Sequence, residues 1–154
     1  MIPVFHVPTG NLSRAVQQEL LGVGFARGET DASKDAPGML HHDFLVLQPR
    51  EPVYVHVSAA HLNRDACEML PIGEAIEMLK EAQVAAINTV TNQAEAGQDP
   101  TVDPDVFEEA EKEERRCLRN HVGRGLSEWL WDYYRAMRTR YARDRNDSVA
   151  GMMD

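Results

Sequence analysis

Cys117 and His121 stand four residues apart in a stretch of helical character. That spacing puts a thiolate and an imidazole on one helix face, as two ligands of a zinc ion require. A structural zinc takes four ligands, and among the six histidines only His41, His42, His56 or His61 could complete the set, each from a distant part of the chain. The expectation is no bound metal. His41 and His42 read as a solvated pair in a polar loop, His56 as a strand-edge residue and His61 as a helix-surface residue. No Ser-His-Asp or Cys-His catalytic arrangement follows from spacing alone.

A second set of residues suits recognition. Arg135, Arg138, Arg140 and Arg143 lie among Trp129, Trp131, Tyr133, Tyr134 and Tyr141. Guanidinium groups fork carboxylates and stack on rings, which is why arginine and aromatic residues concentrate at binding hot spots. Helical spacing gives Trp129, Leu130, Tyr133 and Met137 to the core and leaves Trp131, Arg135, Arg138 and Arg143 as the partner-facing set. Just upstream, residues 99–114 carry eight acidic side chains against Lys112, and residues 115–145 then carry nine arginines against Glu128, Asp132 and Asp144. Glu108 and Glu109, within the acidic block, are the complementary partner-binding acids. Acid and base can also pair inside the chain, where each exposed i,i+4 pair contributes only about 0.3 to 0.5 kcal/mol.

The elements that must position these groups are an α+β arrangement: a small N-terminal mixed sheet with one helix, followed by a C-terminal helical hairpin or bundle. Residues 2–6 are short and apolar, and Pro8-Thr9-Gly10 leads into a helix over 11–21, with Asn11 as N-cap and Gly22 after its end. Residues 23–27 suit a strand and 28–42 a surface loop. Residues 43–48 and 53–57 read as a hairpin whose Pro49 and Pro52 stay outside the ladder. From Ser58 the pattern turns helical: a short helix to about residue 70, then a longer one over 72–95 begun by Pro71. Asp103 and Pro104 make an N-cap and N1 pair for the next helix. Gly123 and Gly125 mark a break, after which Ser127 caps a final helix to about residue 143. The chain reads as one domain, with an α/β portion over 1–57, a helical portion over 58–145 and a polar tail over 146–154.

At 154 residues, a net charge of −9 and a pI near 5.1, the composition argues for a self-sufficient core and against general nucleic-acid binding. Two cysteines without a CxxC spacing make a disulfide framework unexpected and a reducing compartment the default. No stretch approaches the ~20 apolar residues of a bilayer span, and the N-terminal residues lack a signal-peptide pattern. The expectation is a cytoplasmic protein.

Residues 4–21, with Val4-Phe5-His6-Val7, Asn11-Leu12, Ala15-Val16 and Leu20-Leu21, resemble the opening strand and helix of ADP-ribosyltransferases of the DarT-like and related phosphotransferase groups. Residues 44–54, with Pro49-Arg50-Glu51-Pro52 and Tyr54, are similar to the strand, Pro-Arg-x-Pro and Tyr stretch of the DarT-like group. The resemblance implies that His6 contacts the ribose of NAD and that Tyr54 stands beside the same pocket. Beyond Val57 the sequence shows no further strand and no strand-borne glutamate for the family's catalytic acid, so the implied relative is reduced or inactive.

Two function classes follow. The first is a non-enzymatic interaction or assembly subunit without a cofactor, of the accessory, inhibitor or virion type by fold-level analogy. It would dock through its C-terminal helices on a protein with an acidic face or on a second copy, without nucleic acid or membrane. The second is an NAD-binding ADP-ribosyltransferase-like protein.

Overall fold

The computed structural model describes residues 2–28, 43–58, 62–97, 108–123 and 125–153, with side chains described for all of these but 108 and 146–153. It is α+β, as the patterning indicates. The chain divides into two compact units, Met1–Leu79 and Lys80–Asp154, with the boundary inside a helix rather than at residue 57.

The first unit is built on strands β1 (Ile2–His6), β2 (Ala26–Arg27), β3 (Phe44–Gln48), β4 (Val53–Val57) and β5 (Cys67–Met69) and on helix α1 (Gly10–Gly22). Sheet order is β2-β4-β3-β1-β5, with β1-β3 and β3-β4 antiparallel and the outer pairs β2-β4 and β1-β5 parallel. The β3-β4 hairpin forms with Pro49 and Pro52 outside the ladder, where their missing donors matter least. Helix α1 starts one residue before its expected position because Thr9, not Asn11, is the N-cap: the Thr9 hydroxyl accepts the Leu12 amide at 3.1 Å. The left-handed residue after α1 is Gly24, at φ 93°, rather than Gly22.

Residues 62–70 do not form the expected helix. A single 3-10 turn over Arg64–Ala66 leads directly into β5, paired in parallel with β1 through Pro3↔Glu68. Three residues are too short to show strand alternation, and what makes β5 a strand is the open edge of β1 beside it. The chain thus has a strand beyond Val57, and it carries a glutamate.

Register and alternation assign the two faces of the sheet. Phe5, Leu45, Leu47, Tyr54, His56 and Arg27 share one face; the four large apolar or aromatic residues among them are at most 1 % exposed. Helix α1 covers this face, where Gln17 of its buried stripe Ser13, Val16, Gln17 and Leu20 accepts the Tyr54 hydroxyl proton. Each large side chain buried there contributes about 1.5 to 3 kcal/mol. His56 is buried as well, against the strand-edge reading, because β3 and β2 flank β4 on both sides. The opposite face has a smaller cluster of Val4, Phe44 and Cys67, with Val46 and Leu62 packed on it.

Helix α2 (Ile72–Glu95) spans the boundary, and the second unit continues with α3 (Glu108–Val122) and α4 (Glu128–Met153). Gly123, at φ 75°, ends α3, as the glycine pair predicts. Helix α4 does not stop near residue 143, and residues 146–153 of the expected polar tail belong to it, since only Gly151 opposes helix there. The Asp103-Pro104 cap and the three histidines His41, His42 and His61 lie outside the described residues. No helix among the described residues is long and apolar enough to cross a membrane.

Candidate functional site

In the second unit the acidic and basic blocks meet along the seam of α3 and α4. Arg138 Nε lies 2.6 Å from Glu114 Oε1, with the two side chains 4 % and 10 % exposed. Its N–H is not aligned on that oxygen, so the contact is an ion pair rather than a directed hydrogen bond. Arg138 Nη2 donates to Gln93 Oε1 of α2 at 3.2 Å, and Tyr134 Oη donates to Glu114 Oε1 at 2.6 Å. Thr89 Oγ1, 3.0 Å from the same phenol oxygen, completes the chain of contacts. Burial, then the adjacent Glu114 charge and hydrogen bond, push the Tyr134 phenol far above its ordinary pKa.

Beside this network Trp131 stacks on Tyr134, with ring centroids 5.4 Å apart. Arg115 lies over the indole at 4.7 Å and Arg135 at 6.0 Å. Arg115 is itself held by Glu111 at 3.1 Å and by Glu128 at 3.3 Å, which joins the two helices.

The expected partner-facing set is therefore split. Trp131 and Arg138 are buried, at 1 % and 3 % exposure, and do not face a partner. The reason is that α4 buries two seams rather than one. Leu130, Tyr133 and Met137 form the apolar stripe visible in the sequence, while Trp131, Tyr134, Arg138 and Ala142 form a second that meets α3 and α2. Arg135 is half-buried over Trp131, whereas Arg143 and Glu109 are exposed. The side chain of Glu108 lies outside the described residues. Arg119, Arg143 and Arg145 are exposed and have no ion pair among the described residues.

In the first unit His6 and Tyr54 lie on opposite faces of the sheet. His6 pairs with Phe44, which pairs with Val57, whereas Tyr54 pairs with Leu47, so the two side chains leave the sheet on opposite faces. His6 is exposed and stacks on Phe44 with centroids 5.0 Å apart. Tyr54 is 1 % exposed; its hydroxyl is 3.1 Å from Gln17 Oε1, and Gln17 Nε2 donates to Ser13 Oγ at 2.9 Å. The strand-borne Glu68 is exposed and, opposite Pro3, lies on the face away from His6. Burial raises the Tyr54 phenol pKa and the neighbouring Arg27 partly offsets it.

Among the described residues no group of three or more histidine, cysteine or acidic side chains could hold a metal ion. Cys117 is exposed and free, with Sγ 3.8 Å from Glu113 Oε1. Compared with known proteins, the chain matches no family model, no curated protein and no solved structure.

Arg27, Gln17 and Glu114 escaped sequence reasoning. For Glu114 a signal existed: it and Tyr134 are equidistant in sequence from Arg124 at the predicted bend, so an antiparallel hairpin brings them level. Nothing local marks Gln17 or Arg27.

Proposed function

We propose that the protein is an interaction or assembly subunit whose helical unit docks on an acidic protein surface through the exposed arginines of α3 and α4. The observation that carries this reading is the division of the arginines into two classes. Arg115, Arg116 and Arg138 are spent on Glu111, Glu128, Glu113 and Glu114. Arg119, Arg143 and Arg145 remain exposed without an acidic partner among the described residues, in a chain of net charge −9. Exposed guanidinium groups of this kind are ready to fork carboxylates, and the overall negative charge opposes a polyanion such as nucleic acid. Exposed Glu109 makes a second copy one acidic surface of the required chemistry.

The test is light scattering and pull-down with Arg143→Glu/Arg145→Glu and with Arg119→Glu, in low and high salt, circular dichroism confirming the fold. Loss of assembly or capture in the reversed variants, and weakening of the wild type as salt shortens the Debye length to about 10 Å at 0.1 M, is the expected result. Folded reversed variants that assemble and capture like the wild type overturn the reading.

A further inference from the structure

Arg138 is buried and Arg27 half-buried, both with guanidinium nitrogens out of reach of solvent, and the fold treats them differently. Arg138 has Glu114 and Gln93 around it. Arg27 has buried Nε and Nη2 atoms, and neither meets a hydrogen-bond acceptor among the described residues. Tyr54, its register partner on the same face, gives its hydroxyl proton to Gln17 and carries no charge to balance the guanidinium.

Which two atoms lack acceptors is informative. Nε–H and Nη2–H lie on one edge of the guanidinium plane and point the same way, with the separation of two oxygens of a carboxylate or phosphate. An arginine cannot relieve burial by losing its proton, so a buried fork without an acceptor is unfavourable until an anion meets it. The backbone beneath the fork is fixed on both sides. Ala26 N donates to Pro52 O at 3.0 Å and Gly28 N to Tyr54 O at 2.7 Å, pinning Arg27 in register with Tyr54. Little ordering remains for a ligand to impose at that point, which is the preorganisation that tight anion recognition needs.

We propose that Arg27 is an oxyanion-binding residue, its Nε–Nη2 edge taking the carboxylate or phosphate group of a small ligand beside Tyr54. This inference concerns the first unit and is independent of the docking role of the helices.

The experiment follows the Arg27 Nε–H resonance by nitrogen-15 NMR, and the thermal midpoint, during titration with inorganic phosphate, with acetate and with chloride at matched ionic strength. The wild type is compared with Arg27→Gln. A saturable shift of the Arg27 resonance with a rising midpoint under phosphate alone assigns a phosphate-bearing ligand; the same response to acetate assigns a carboxylate. Arg27→Gln loses the anion-dependent rise and, in chloride, melts at or above the wild-type temperature because an unbalanced buried charge has gone. The proposal is overturned if the wild-type resonance responds to phosphate and acetate no more than to chloride. It is equally overturned if Arg27→Gln keeps the rise, or if it melts below wild type or fails to fold in chloride, since the guanidinium would then be serving the ligand-free structure.

Discussion

Glu114 and Arg138 hold an ion pair of 2.6 Å inside the helical unit, with the Tyr134 hydroxyl on the same carboxylate oxygen. Removing one partner strands the other charge away from water. Arg138→Met or Glu114→Leu alone is expected to destabilise by about 3 to 5 kcal/mol, whereas the double replacement should recover most of that loss, because an apolar pair of similar volume has no desolvation to offset. Urea unfolding of the two single variants and the double variant forms the cycle. Additive losses would show that the pair is not coupled.

Alkaline pH should weaken the fold through its buried phenols. Tyr54, Tyr133 and Tyr134 all have folded-state pKa values raised above the ordinary 10.0, in each case first by burial. A raised acid keeps its proton in the folded state while the unfolded chain loses it. Their contribution is therefore complete below pH 10 and is lost as pH rises from there toward the folded-state values. Tyrosinate absorbance from these three residues should emerge together with loss of near-ultraviolet dichroism. Ionisation of all three ahead of unfolding, at their ordinary pH, would contradict the burial that defines both seams.

The fold was legible where length or punctuation supported it. The 72–95 helix, the β3-β4 hairpin and the stop at Gly123 all carry long periodicity or a residue type with one structural use. Strand β5 was not legible, since its identity comes from pairing with β1, sixty-odd residues away. The burial of Trp131 and Arg138 was hidden for a related reason. A single helical stripe assigns one buried face, but α4 has neighbours on two sides, and the polar second seam reads as surface until its partners are known. The placement of His6 and Tyr54 was hidden by parity: the two residues that the resemblance sets beside one pocket fall on different faces once the hairpin register is set.

Gly28 tests how closely β2 is held to β4. A Cβ there would come within 2.6 Å of Val55 Cγ1 and 3.1 Å of the Tyr54 carbonyl oxygen, whose distance is set by the hydrogen bond from the Gly28 amide. Gly28→Ala is expected to destabilise by about 1 to 3 kcal/mol, the usual penalty of overpacking. Hydrogen exchange at the Gly28 and Ala26 amides should accelerate more than in α3. Unchanged stability would mean that β2 yields freely.

Arg115 supplies the last prediction, because it touches three things at once. Its guanidinium lies 4.7 Å from the Trp131 ring centre, 3.1 Å from Glu111 and 3.3 Å from Glu128, with its side chain 32 % exposed. The carboxylates are the weaker contributors: at this exposure an ion pair is worth about 0 to 1 kcal/mol and fades with salt. The contact with the indole is short-ranged and less screened, worth about 0.5 to 1 kcal/mol at a site still reached by water. Arg115→Gln should therefore cost about 1 kcal/mol, most of it retained in high salt, and should alter the Trp131 fluorescence, with Trp131→Phe as the assignment control. Glu128→Gln, which leaves the stacked guanidinium in place, should cost less and lose its effect in high salt. If salt abolishes the Arg115→Gln penalty entirely, the seam is closed by the carboxylates and the stack over Trp131 is incidental.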